Sequence, residues 1–249
     1  IVYADLSRII ICTNKIKVED GVTYFNYLMS NLQSKDMFST INIDVNKVWT
    51  LLLWHDSANY GGMKLDEDKE EIEMNWRIIK FLPAQVQESF NTLIAGYIGS
   101  IGEMLKSILE KLKRSAASQS GESVELNSIA KFSQELISGE LTEQTMKLTQ
   151  KIYKKLTDED FPEQFGCKYK LRCPALEFVK YFCKIMSLDK NIVNQVDTLK
   201  KDLLKIVNVR EFSDEAQFVD PSLSFIIPQV FFLFSSIFFS LEKKILNFI

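Results

Sequence analysis

Residues 1–13 read IVYADLSRIIICT. Two apolar, β-branched runs, IVYA and RIIICT, flank a short polar turn that contains one acid, Asp5. This pattern predicts an antiparallel hairpin that turns at Asp5–Ser7. Downstream, VEDGVTYFNYLMSNLQS (18–34) places Val22, Phe25, Leu28, Met29 and Leu32 at helical spacing. INIDVNKVWTLLLW (41–54) alternates and then becomes continuously apolar, which predicts a strand. HDSANYGGM (55–63) follows, with Gly61 and Gly62 punctuating a turn. Residues 1–63 are therefore expected to form strands packed on at least one helix, an α+β arrangement.

The rest of the chain changes code. KLDEDKEEIE (64–73) holds six acids and two lysines. It reads as a solvated linker over 64–74, since nothing in it fixes carboxylate geometry for a cation. From Asn75 the pattern is helical. Phe90, Leu93, Ile94, Tyr97, Ile98, Ile101, Met104, Leu105, Ile108 and Leu112 follow the three-four spacing of one helix face. Pro83 sits near the start of that helix, and Lys111, Lys113 and Arg114 sit at its end, where cations suit the helix dipole. SAASQSGES (115–123) reads as a flexible loop. A helical pair is expected over 128–157, with Ser128 as a cap and Gly139 as a break. Pro174 opens another helix. Asp189 is expected to cap the helix after it, with Lys200, Lys201 and Lys205 on the outer side. Residues 75–220 are thus mainly helical.

Composition narrows function. The chain has 249 residues, 46% hydrophobic and 25% charged, enough for a sizeable core. A net charge of −3 supplies no global field for a nucleic-acid backbone, so any contact needs a local patch. Cys12, Cys167, Cys173 and Cys183 form no Cys-x-x-Cys pair and read as lone thiols in a reducing compartment. His55 is the only histidine, which disfavours His-based zinc or triad chemistry. The chain starts in mid-strand without an initiator methionine and is expected to be a piece of something longer.

The order of these segments resembles one family. IVYADLSRIIICTNKIKVEDGVTYFNYL, LLLWHDSANYGGMK, NWRIIKFLP and the run from Cys173 to Val230 look like the C-terminal half of DNA polymerase epsilon catalytic subunits. The match covers about Ile1 to Val230. The resemblance implies a degenerate B-family polymerase palm over 1–63 and a thumb-like helical region after it. B-family polymerases carry a Tyr-Gly-Asp-Thr-Asp-Ser turn whose acids help hold two magnesium ions. Here the turn is Tyr3, Ala4, Asp5, Leu6, Ser7, Arg8. Ser7 stands in place of the second acid, and Arg8 adds a repelling cation. Asp5 is then expected to be a vestigial metal-ligand position that satisfies turn N–H groups instead. The family's Lys-Lys-Arg-Tyr duplex clamp corresponds to Asp56, Ser57, Ala58, Asn59, Tyr60 and Gly61, where the positive charge is gone.

The resemblance therefore implies a non-catalytic scaffold in nuclear DNA replication, with no cofactor in this segment. The intact subunit would use magnesium in its active half, and zinc and an iron–sulfur cluster in its cysteine-rich module. Implied partners are the accessory subunits of the polymerase, the replicative helicase, and DNA through the parent protein. No membrane is expected. Lys200, Lys201 and Lys205 are the weak candidates for direct DNA contact. The tail departs from the family. Residues 221–249 end in FFLFSSIFFSLEKKILNFI where cysteine pairs would stand. This low-charge, aromatic stretch is expected to be foreign to the fold, such as translated intron, and has an aggregation-prone composition. Two other functions stay open: a residual nucleotidyltransferase palm with substitute ligands, and a membrane-tethered helical protein held through the uncharged run Phe225–Leu241.

Overall fold

A computed structural model of the chain describes residues 1–5, 8–13, 15, 17–38, 41–42, 44–66, 69–114, 122–156, 173–210, 231–235 and 238–239. Leu6, Ser7, Cys167, residues 115–121 of the Ser-rich loop and residues 221–230 of the tail lie outside them. The chain divides into two compact units. One comprises Ile1–Leu52, Met63–Glu71 and Ile227–Ile249; the other comprises Leu53–Gly62 and Ile72–Ile226. Helix and antiparallel sheet coexist, as the α+β reading requires.

The first unit opens with the expected hairpin. β1 (Tyr3–Ala4) pairs antiparallel with β2 (Arg8–Cys12), with Tyr3 opposite Ile10 and Ala4 opposite Ile9. α1 (Val18–Gln33) follows. Its inner face presents Phe25 and Met29, which pack with Ile9, Ile11, Val18, Leu28, Leu32 and Val48. Strand alternation sends Ile10 to the opposite face, where it is also fully buried. Val22, expected on the inner face, is instead exposed.

After β3 (Ile41–Asn42), the long strand β4 (Val45–Asp56) is buried from Trp49 to Trp54 on both faces. Strands β5 (Asn59–Asp66) and β6 (Lys69–Trp76) return from it. The full sheet order is β1-β2-β7-β4-β5-β6, with β7 at Phe231–Ser235. β7 runs antiparallel to both neighbours, placing Arg8 opposite Ser235 and Trp49 opposite Phe231. β8 (Phe238–Phe239) pairs with β3. Part of the tail expected to be foreign to the fold thus supplies an interior strand. A charge-free aromatic run suits a strand with a neighbour on each side.

Two local expectations are corrected here. The acidic stretch 64–74 is not a linker: its described residues, 64–66 and 69–74, are built into β5 and β6. Ile72, Met74 and Trp76 alternate with Glu71, Glu73 and Asn75, and β6 is the outer strand of the sheet. Charge on such a strand keeps the edge in water and discourages pairing with another chain. Nor do the glycines make the turn, which falls at Ser57–Ala58, ahead of β5. Gly61 lies inside β5, where a Cβ would sit 2.6 Å from Trp76 Cζ2 and 3.0 Å from Met74 Cγ. Only a residue without a side chain lets the Trp76 ring lie against this backbone.

The second unit is mostly helical. A 3-10 turn (Arg77–Ile79) leads to α2 (Ala84–Arg114), α3 (Glu122–Leu136), a π turn (Ile137–Leu141), α4 (Thr142–Leu156), α5 (Pro174–Met186) and α6 (Val193–Ile206). The Pro83 carbonyl accepts the N–H groups of Val86 and Gln87, so proline does start α2. α2 packs on α3, α4 and α5, while α4 packs on both α5 and α6. Phe90, Phe178 and Phe182 are wholly buried and meet with ring centroids 5.8–6.3 Å apart: Phe90 is edge-on to both, and the other two are stacked. Gly139 breaks the helical path as expected, with φ −102° and ψ −106°. Ser128 lies inside α3 rather than capping a helix. Among the described residues no helix is long and apolar enough to cross a membrane.

Replacing Gly61 by alanine drives a methyl group into Trp76. The expected cost is about 1–3 kcal/mol, typical of overpacking, read as a lower urea midpoint with an unchanged slope.

Candidate functional site

The hairpin tip is the first place to look for chemistry. Asp5 sits between β1 and β2 with a partly buried carboxylate. Its Oδ1 accepts the Arg8 backbone N–H at 2.8 Å. Its Oδ2 accepts the Tyr3 hydroxyl at 2.9 Å and lies 3.4 Å from Arg8 Nε. The Asp5 N–H donates back to the Arg8 carbonyl at 2.9 Å. Both carboxylate oxygens therefore serve the turn, and a guanidinium stands beside them. A hard dication needs several open oxygen ligands. Among the described residues, the donor set at Asp5 is one carboxylate already engaged by three donors, which does not fit magnesium.

The Asp56–Gly61 segment is equally committed. Asp56 Oδ1 accepts the Ala58 N–H at 2.7 Å, and both its oxygens accept from Asn59 Nδ2. Asn59 Oδ1 then accepts the Ile78 N–H at 2.7 Å, and the Arg77 N–H donates to the Ala58 carbonyl. These bonds lock the turn onto the 3-10 segment. Tyr60 stacks on Trp54 at 5.5 Å and donates its hydroxyl to Glu73. The residues at the clamp position thus spend their polar groups inside the fold. The nearby His55 is partly buried, and its Nε2 lies 3.7 Å from Asp56 Oδ2. Burial holds its imidazole below the usual histidine range, Lys184 pushes the same way, and Asp56 opposes both.

The remaining candidates are scattered. Lys200 is partly buried on α6, and Lys201 and Lys205 are exposed on the same helix. Lys205 pairs with Asp202 at 2.8 Å, and Asp197 adds a second acid to the helix. Cys12, Cys173 and Cys183 are free thiols. Cys183 is enclosed, and burial pushes its thiol up to about 12, so it is no nucleophile at neutral pH. Among the described residues, no three histidine, cysteine or acidic side chains gather as a metal site.

One buried polar pair is not legible from the sequence. Tyr97 donates its hydroxyl to Asp189 Oδ2 at 2.6 Å, across 92 residues of chain. Each is only 2% exposed. Asp189 is not the cap of α6, which starts four residues later at Val193. Its Oδ1 instead accepts the Asn191 N–H at 2.8 Å and shapes the corner between α5 and α6. Gln134 of α3 donates to the Asn191 carbonyl at 2.9 Å. Four helices, α2, α3, α5 and α6, thus meet at one polar corner. Burial raises the Asp189 carboxyl above the ordinary aspartate range, and the bonds from Tyr97 and Asn191 partly offset this. Burial and the Asp189 charge raise Tyr97 well above its ordinary value. The pair ties α2 to the α5–α6 corner.

The sign of the pH dependence follows from that burial. A carboxyl raised on folding contributes stability that is fully present below its unfolded value and is lost as pH climbs through the folded one. Wild type should therefore lose stability relative to Asp189→Asn over that window, measured as urea midpoints across a pH series. Tyr97→Phe leaves Asp189 Oδ2 without this donor and should cost about 1–3 kcal/mol at neutral pH.

Comparison with known proteins bears on what this architecture belongs to. A family profile described as "Domain of unknown function (DUF1744)" matches residues 1–63. The chain is 32% identical to a DNA polymerase epsilon catalytic subunit of Saccharomyces cerevisiae, over 92% of its own length and 11% of that protein. It is 31% identical to the corresponding catalytic subunit of Kluyveromyces lactis over the same shares. To one from Arabidopsis thaliana it is 28% identical, over 92% of its own length and 10% of the relative. The chain spans about a tenth of the length of these relatives. With identity held across fungi and a plant over nearly all of its residues, the chain belongs to the family of DNA polymerase epsilon catalytic subunits.

Proposed function

We propose that this chain is part of the non-catalytic C-terminal half of a DNA polymerase epsilon catalytic subunit, and that it acts as a structural scaffold in the nuclear replication holoenzyme. In this reading residues 1–63 are a polymerase palm without its chemistry, and the helical unit is its thumb-like companion. One observation carries it: the Asp5 carboxylate is closed by Tyr3 and Arg8, and Arg8 brings a positive charge to the place where a cation would bind. Ser7 in the second acid's position supports it from the sequence. The internal bonding of Asp56, Asn59 and Tyr60 supports the loss of a duplex clamp.

The parent protein's activity is then supplied elsewhere in its length. Magnesium would serve the active half, and zinc and an iron–sulfur cluster would sit in the cysteine-rich module. The scaffold would meet the polymerase's accessory subunits and the replicative helicase in the nucleus, and would reach DNA through the parent protein.

Primer extension tests the reading directly. The chain, incubated with primed template, all four deoxynucleotides and Mg²⁺, should extend no primer, and calorimetry should detect no Mg²⁺ binding that depends on Asp5. Incorporation that disappears in Asp5→Asn would overturn it and restore a live palm.

A further inference from the structure

The helical unit carries a cleft between the first turns of α2 and the last turns of α4. Its volume is about 40 Å³, room for one short side chain. Val86, Leu148 and Ile152 form an apolar floor, Gln85 and Ser89 edge it from α2, and Lys151 and Lys155 stand along α4. From Gln144 to Lys155, α4 has four lysines and no acid. Lys147 is paired with Glu143 one turn earlier. Lys151 is exposed and makes no ion pair or hydrogen bond among the described residues. Glu88, the acid nearest on α2, does not line the cleft.

The two halves of this cleft ask for different things. The floor gains when an apolar side chain covers it. The lysines lose water when anything approaches, and only a negative group offsets that loss. A nucleic-acid backbone answers the lysines and leaves the floor bare. A purely apolar segment covers the floor and leaves Lys151 desolvated and unpaired. A polypeptide with a carboxylate next to an aliphatic side chain answers both.

We infer that the α2–α4 cleft docks an acidic, aliphatic segment of a partner protein. Its aliphatic side chain covers Val86, Leu148 and Ile152, and its carboxylates pair with Lys151 and Lys155. This holds whether or not the Asp5 hairpin is inert, and its test has no polymerase readout.

The probe is a fluorescein-labelled decapeptide of alternating glutamate and leucine, titrated with the full chain and followed by anisotropy. A glutamine–leucine peptide serves as control. The glutamate peptide should bind, and added salt should weaken it. Lys151→Glu with Lys155→Glu should lower its affinity about tenfold, since two exposed attractions become repulsions. The charge-matched pair Lys111→Glu with Lys131→Glu should leave it unchanged. Ser89→Tyr, which fills the cleft and keeps both lysines, should also weaken binding. Circular dichroism confirms that each variant is folded. Equal binding of the glutamine peptide, or full affinity in the Lys151 and Lys155 variant, overturns the inference. So does a single-stranded oligonucleotide that displaces the peptide and itself depends on those two lysines, which would assign the cleft to nucleic acid.

Discussion

Burial of one continuous face of α2 is the constraint under which the helical unit is assembled. Phe90, Ile94, Ile98, Ile101, Leu105 and Ile108 recur along that helix, and none is more than 4% exposed. A face this long, left in water, would cost far more than helix propensity could recover. It must be covered along its length, and α3, α4 and α5 each take a part. Phe178 and Phe182 supply the cover at Phe90. Tyr97 is the one polar group on the face, and it dictates the rest. A hydroxyl sealed in an apolar core needs a partner, and Asp189 at the α5–α6 corner provides it. The corner is placed by a hydrogen bond whose cost of absence exceeds its gain in water.

The same logic explains the hairpin. A carboxylate has a few strong acceptor positions, and it can spend them on a cation or on its own backbone. At Asp5 they go to Tyr3, the Arg8 N–H and the Arg8 guanidinium. Closing the turn this way fixes β1 against β2 without any ligand. Arg8 then contributes to local order while disfavouring a metal.

Much of this is legible in the sequence because it is local. The hairpin at Asp5, the helix over Phe25 and Met29, proline at the start of α2, the break at Gly139 and the helical corner after Met186 all follow from short-range spacing. The departures share a cause. The acidity of 64–74 hides the period-two alternation of Ile72, Met74 and Trp76, because a charge run masks the pattern beneath it. Gly61 reads as a turn residue because nothing near it in sequence announces the Trp76 ring. Asp189 looks like a helix cap because its partner Tyr97 is 92 residues away. Strand β7 is the extreme case: its pairing with β2 spans most of the chain, and no local code specifies it. The cleft on α4 shows in the sequence only as four lysines without an acid, and the packing of α2 on α4 is what brings an apolar floor beside two of them.

The proposed loss of chemistry also has a physical reason to leave the fold intact. Along β2, the residues that hold the first unit together are Ile9, Ile10 and Ile11, which pack on α1 or bury on the opposite face. The residues that would do chemistry sit at the tip, in the turn around Asp5. The two sets do not overlap. Changing an acid at the tip removes no buried apolar area and opens no cavity, so packing places no penalty on it. Changing Ile10 to a smaller residue would open a cavity on the face opposite α1. A hairpin of this design keeps its shape under the demands of the core alone, and its tip is free to drift from metal ligand to turn closure.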